Sequence, residues 1–332
     1  MSIISPSDPA SNRIKHNDGN VSLSVVVPVY NSEGSLRELV ARLNLVLPEL
    51  TDQFELLLIN DGSRDRSWEV VEELARVHPW ITGINFMRNF GQHNALLCGI
   101  REARFEIIVT LDDDCQNPPE EIPKLIEKIN AGFDVVYGSP RQTRHGLWRD
   151  LASQITKIAL QSVMGADTAR KVSAFRAFRT PLRQAFATYG GSFVNIDVLL
   201  SWASTRFSSV DVLHRPRESG RSNYTFRALV VHALNMITGF SMLPLQIASL
   251  VGFLFTVFGI MVLFYVIARY LIQGGSIPGF PFLASTIAIF SGAQLFSLGI
   301  IGEYLARMHF RLMDRPTYVI QKVYKNAAGE EA

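Results

Sequence analysis

Residues 106–123 read EIIVTLDDDCQNPPEEIP, a mostly apolar, β-rich run that drives into three consecutive aspartates and then two prolines. Adjacent carboxylates repel, and each is costly to desolvate unless a cation or hydrogen-bond donors offset it. One reading is a solvated turn that caps a helix opening near Pro118. The other is a metal site, and the surrounding sequence decides between them. Working outward, LSVVVPVY (23–30), FELLLIN (54–60), ITGINF (81–86) and DVVYGS (134–139) also read as strands. Residues 32–47, 63–77 and 91–103 between them carry helical spacing. Strands that are apolar at every position and alternate with helices predict an α/β fold, a mostly parallel sheet covered on both faces. Ligands of such sheets collect at the carboxyl ends of the strands. Those ends carry PVYN, NDGS, RNFG and DDD here.

Along an extended chain, residues i and i+2 point the same way, so Asp112 and Asp114 are expected to converge on one cation while Asp113 faces elsewhere. Gln116, two positions further on, adds an oxygen. Hard oxygen ligands favour Mg²⁺ or Mn²⁺, ions that keep coordination sites for phosphate and water. The chain has neither a G-x-G-x-x-G turn nor a G-x-x-x-x-G-K loop, which disfavours a dinucleotide or ATP fold and leaves a metal as the means of holding a diphosphate.

The 332 residues are 48% hydrophobic with a formal net charge of +2. No Asp, Glu, Lys or Arg lies between Arg227 and Arg269, nor between Arg269 and Glu303. Within these tracts, residues 243–268 and 282–304 exceed the roughly 20 apolar residues that cross a bilayer as a helix. Arg206, Arg215, Arg217, Arg221 and Arg227 crowd the approach to the first run, and Arg307, Arg311, Arg315, Lys322 and Lys325 follow the second. Only Arg269 lies between, so the positive-inside rule places both flanks in the cytosol and the QGGSIPGFP turn outside. The two cysteines, Cys98 and Cys115, carry no pairing pattern, as suits a reducing compartment. The expected organisation is a disordered leader (1–20), an α/β domain (21–224), an interfacial amphipathic helix (225–241), a two-helix transmembrane hairpin (242–305) and a basic cytosolic tail (306–332).

In their order and separation, VVVPVYN, INDGS, RNFGQHNALLCGI and LDDDCQNPPEEIP resemble the GT-A glycosyltransferases of family 2, with a Rossmann-like sheet. The two terminal spans narrow the resemblance to the dolichol-phosphate-mannose-synthase-like branch and its bacterial undecaprenyl-phosphate glycosyltransferases. GQHNA, QNPPEEIP and FRAFR look closest to the members that transfer formamido-arabinose. The likeness runs over roughly residues 22–324.

The resemblance implies that Pro28, Tyr30 and Asn31 hold a uracil nucleotide and that Asp61 contacts its base or ribose. The family often places Glu directly after the Asn; here Ser32 stands there, and Glu33, one step later, is the candidate ribose contact. Asp112 and Asp114 match the catalytic metal and diphosphate pair, Asp112 also touching the nucleotide, and Gln116 matches a third metal ligand. Arg141, Arg149 and Ser153 resemble the acceptor-phosphate residues, Arg149 and Ser153 lying i,i+4 on one helical face. A lipid monophosphate carries about −1.5 to −2 charge and favours guanidinium partners, which adds Arg217 and Arg221 near the interface, where attraction of a basic cluster to anionic headgroups is the other reading. The family's G-x-S-K-Y appears as GRSNY, with Asn223 for the lysine.

Many relatives carry Asp in a G-D-F-R-L segment as a proposed general base, where this chain has Ser173 and Ala174. A hydroxyl nucleophile needs its proton removed, whereas a phosphate oxygen is already ionised, so the missing carboxylate favours a lipid phosphate acceptor. The expectation is an inverting enzyme moving a sugar from a UDP-sugar to a polyprenyl phosphate with Mg²⁺ or Mn²⁺, seated on the lipid bilayer of the cytoplasmic membrane. No nucleic-acid partner is expected, and a homo-oligomer stays open. A processive polysaccharide synthase would add Q-x-x-R-W and further spans, which are missing, and a non-enzymatic adaptor would have lost the aspartate pair.

Overall fold

The computed structural model describes residues 21–140, 172–191, 194–214, 243–273, 279–313 and 315–326. Strands β1 (Leu23–Val29), β2 (Phe54–Asn60), β3 (Ile81–Phe86) and β4 (Ile107–Thr110) run parallel, β1 pairing with β2 on one side and with β4 on the other. Helices α1 (Leu36–Leu50), α2 (Ser67–Val77) and α3 (Gln92–Glu102) connect them. Leu23, Val25, Val27 and Val29 of β1 turn to one face, into a core with Leu39, Leu43 and Leu47 of α1 and Val71 and Leu74 of α2. Val26 turns to the other face, against Ala95, Leu96 and Ile100 of α3. Burial on both faces is why these strands read as unbroken apolar runs, each such side chain contributing about 1.5–3 kcal/mol. Gly99 lets α3 lie close on the sheet, because a Cβ there would stand 2.3 Å from Val26 Cγ1.

After a 3₁₀ turn (Pro119–Glu121) come α4 (Ile122–Asn130), β5 (Val135–Pro140), β6 (Arg176–Arg179), α5 (Ile196–Ala203) and β7 (Phe207–Val212). The eight-stranded sheet has the order β7-β5-β6-β4-β1-β2-β3-β8. Its antiparallel members are β6, set between β4 and β5, and β8 (Ile320–Lys325), set against β3. Neither these two nor β7 was among the strands read from the sequence. The expected basic tail at 306–332 is corrected in particular: residues 320–325 are an edge strand of the eight-stranded sheet. Lys322 reaches Glu72 of α2, and Asn85 Nδ2 donates to Gln321 Oε1 (2.9 Å).

Two long helices, α6 (Leu243–Gln273) and α7 (Phe280–Leu312), contain Pro244–Arg269 and Ile289–His309, both long and apolar enough to cross a membrane. Phe253, Leu254, Phe264 and Leu295 are exposed, unlike the side chains of a soluble core helix; lipid is the solvent that suits them. Phe290 of α7 packs between Phe255 and Phe258, where a Cβ on Gly259 would come 2.9 Å from its ring. Small residues permit such close approach between membrane helices. The leader at 1–20 and the interfacial helix at 225–241 lie outside the described residues.

Candidate active site

The chain leaves β1 toward β2 and β3 and then crosses back, through α3, to β4 on the other side of β1. At such a switch of direction the carboxyl ends of two neighbouring strands splay and open a crevice. Here they belong to β1, followed by Tyr30, and to β4, followed by the aspartates. A cavity of about 390 Å³ lies there, lined by Pro28, Tyr30, Asp61 and Asp112 to Asp114 together with Asn89, Gly91 and Gln92.

β4 ends at Thr110, and Asp113 and Asp114 already lie in a turn that passes through Cys115 at φ 56°. The alternation of an extended strand therefore does not extend through the cluster: all three aspartates are among the residues lining the cavity, and the Asp113 carboxylate is the one turned to the loop after β1. Asp112 Oδ1 accepts from Gln92 Nε2 (2.6 Å). Asp113 Oδ2 accepts from the Tyr30 N–H (3.1 Å) and from Ser32 Oγ, so it anchors the loop after β1. Asp114 Oδ1 accepts from the Gln116 N–H (3.1 Å), closing the turn.

Burial pushes the Asp112 carboxyl up to about 6, and the charges of Asp114 and Asp113 add to it; Arg176 and the Gln92 bond act the other way. Burial also raises Asp113, against the bonds from Ser32 and Tyr30. The donor set is all oxygen, and the clustered charge is of the kind a divalent cation relieves, so Asp112 and Asp114 fit Mg²⁺ or Mn²⁺. Among the described residues no group of three or more His, Cys, Asp or Glu side chains is placed to hold a metal ion.

The other sequence candidates divide. Pro28 and Tyr30 line the cavity, Tyr30 with 45% of its surface exposed. Asp61 lines it too, yet is almost fully buried, its two oxygens accepting from the N–H groups of Phe90 (2.6 Å) and Gly91 (2.8 Å); burial raises its carboxyl. It ties the loop after β2 to the loop after β3. Gly62, at φ 63°, lies so close that a Cβ would meet the Arg88 backbone at 2.5 Å. Asn31, Glu33 and Gln116 are not among the lining residues. Asn31 Oδ1 accepts from the Arg64 N–H (2.8 Å), and Glu33 Oε2 from the Arg66 N–H (3.0 Å) at the start of α2. Arg141, Arg149, Ser153, Arg217 and Arg221 lie outside the described residues.

Two contributors were not picked out from sequence. Gln92 belongs to the RNFGQHNALLCGI stretch, but its bond to Asp112 is a tertiary fact. Arg176 is buried beneath the cluster: its Nε donates to Thr110 Oγ1 (3.0 Å), its Nη1 bonds Asp197, and Tyr137 Oη donates to Asp197 Oδ1 (3.1 Å). Ser173 and Ala174 stand beside it, the Ala174 carbonyl accepting from Thr110 Oγ1 (2.8 Å).

Residues 24–191 match the family described as Glycosyl transferase family 2. Curated relatives named undecaprenyl-phosphate 4-deoxy-4-formamido-L-arabinose transferase are similar along nearly the whole chain. That of Shewanella sediminis is 34% identical over 322 residues, 96% of this chain and 97% of the relative. That of Proteus mirabilis is 34% identical over 305 residues, 91% of this chain and 93% of the relative. Among solved structures, glucosyl-3-phosphoglycerate synthase from Mycobacterium tuberculosis, in complex with Mn²⁺, UDP and glucosyl-3-phosphoglycerate, is 17% identical, covering 66% of this chain and 78% of that chain at a TM-score of 0.48. The match spans β1 to β6, the strands whose loops build the aspartate-lined crevice, and with relatives that align along both chains it makes this protein a member of glycosyl transferase family 2.

Proposed function

We propose that this glycosyltransferase moves a sugar from a UDP-sugar to a polyprenyl phosphate at the cytosolic face of the membrane, inverting the anomeric carbon. The observation that carries the reading is the aspartate cluster opening into a cavity beside Tyr30, at the switch point of a sheet whose chain continues into two apolar helices. The named activity of the aligned relatives supports the lipid acceptor. Tyr30 offers an exposed ring for the base, held in place by the Asp113 bond to its N–H. Asp112 and Asp114 hold Mg²⁺ or Mn²⁺, which when bound supplies positive charge beside the diphosphate.

The acceptor phosphate oxygen forms the new bond to the anomeric carbon as the bond to the UDP β-phosphate oxygen breaks, and UDP leaves with the electron pair. No proton has to be removed from an ionised phosphate. Ser173 and Ala174 suit this, since no carboxylate stands at that place. Arg141, Arg149, Ser153, Arg217 and Arg221 are assigned to the acceptor phosphate on sequence grounds. The positive flanks of the two spans support the cytosolic side.

The test incubates purified protein with undecaprenyl phosphate, Mn²⁺ or Mg²⁺ and a panel of UDP-sugars that includes UDP-4-deoxy-4-formamido-L-arabinose, and weighs the lipid product. A lipid heavier by one glycosyl residue, with UDP released, is expected. A product heavier by a sugar phosphate, or UDP release that ignores the lipid, refutes the reading.

A further inference from the structure

After α7 the chain returns to the catalytic sheet at Tyr318, whose ring lies flat on Phe86, with centroids 5.2 Å apart and planes at 3°. Phe86 in turn meets Phe90 edge-on at 5.8 Å. Phe90 and Gly91 give their N–H groups to Asp61, and Gly91 and Gln92 line the cavity. At the other end of the same loop, the Met87 N–H donates to the Val319 carbonyl (3.0 Å). Arg101 of α3 fastens the contact from behind: its Nη1 donates to Tyr318 Oη (3.5 Å) and its Nη2 to the Tyr189 carbonyl (2.8 Å). The loop between β3 and α3 is thus held on the cavity side by Asp61 and on the outer side by Tyr318 and Val319.

We propose that the segment 315–326, through Tyr318, is the positioning element of the loop 87–92. The inference rests on the reading that this cavity takes the donor nucleotide. Without β8 and Tyr318, β3 becomes the sheet edge, the outer face of Phe86 opens to solvent, and the loop that carries Gly91 and Gln92 keeps its inner bonds, to Asp61 and from Asn94 Nδ2 to the Phe90 carbonyl (2.6 Å), but loses its outer support. Small misplacements of such groups are costly: about 1 Å at a substrate-positioning residue can cost about 10²-fold. The link is also short. Tyr318 follows Leu312, the last residue of α7, by six positions, so the donor loop is tethered within about 20 Å of the end of that helix.

Full-length Tyr318→Ala and Tyr318→Phe are compared with the parent by hydrogen exchange of residues 87–92 and by calorimetric binding of UDP with Mn²⁺. Tyr318→Ala is expected to speed exchange in the loop and to weaken UDP binding, each about tenfold, whereas Tyr318→Phe keeps the stack and stays within about twofold. Tyr324→Ala, on β8 but at the far end against Arg76, leaves both readouts unchanged. Should Tyr318→Ala not fold, Tyr318→Leu replaces it, keeping bulk while losing the flat ring. Parental exchange in Tyr318→Ala, faster exchange with unchanged UDP affinity, or equal effects from Tyr324→Ala each overturn the proposal. A parent protein that binds no UDP removes the donor reading instead, while the exchange comparison still decides whether Tyr318 positions the loop.

Discussion

Arg176→Met removes the cation of an ion pair whose side chains are only 2% and 7% exposed. The guanidinium loses its bonds to Asp197, to Thr110 Oγ1 and to the Ala174 carbonyl (3.4 Å). Asp197 is then a buried carboxylate left with the Tyr137 hydroxyl and the amino-terminal turn of α5. Breaking a buried pair by deleting one partner costs about 3–5 kcal/mol, because the remaining charge stays desolvated. For a domain of this size that corresponds to a melting temperature lower by about 6–20 °C. Arg176→Met/Asp197→Leu removes both charges together, and it is expected to recover at least about half of that loss. The assay is thermal unfolding of purified full-length protein, followed by intrinsic fluorescence at fixed detergent concentration. An Arg176→Met variant within about 2–4 °C of the parent, or a double variant that loses the sum of the two single losses, refutes the reasoning. The pair would then be either solvated or uncoupled.

The Asp112 carboxyl, raised to about 6, titrates above its unfolded value, so its contribution to stability is present below the unfolded value and is lost as pH rises through about 6. Ionised Asp112 therefore costs the metal-free fold, and because a cation needs that ionised form, Mn²⁺ affinity is expected to fall about tenfold per pH unit below about 6; a pH-independent affinity from about 7 to 5 contradicts this. Asp114→Asn is expected to abolish metal-dependent UDP release. Asp113→Asn, which weakens the anchor on Tyr30 and Ser32, is expected to reduce UDP affinity about fivefold while metal dependence persists; steady-state kinetics that reverse this ranking make Asp113 the ligand. A cysteine at Gly279, at the start of α7, is expected to react with an impermeant reagent added outside intact cells, and one at exposed Asp52 is not; labelling at position 52 alone inverts the topology.

The parallel order of β1 to β4, the aspartates at the carboxyl end of β4 and the two long apolar helices were legible in the sequence, because each rests on a local signal. Continuous apolar strands, helical spacing and charge-free runs report burial within a few residues of chain. Tertiary structure alone decided how the polar groups are spent. Asp61 faces loop N–H groups across the crevice, Glu33 faces the start of α2, and Asp113 turns back onto Tyr30, because the turn after Thr110 ends strand alternation before the cluster is complete. Arg176 became part of the site only once β6 ran antiparallel beside β4, placing it opposite Thr110. β8 is the extreme case: IQKVYK is short, basic and largely exposed, and its partner Asn85 lies 236 residues from Gln321. No periodicity within six residues encodes such a partner; the free edge of β3, with its unpaired backbone groups and the open face of Phe86, selects it when the sheet assembles.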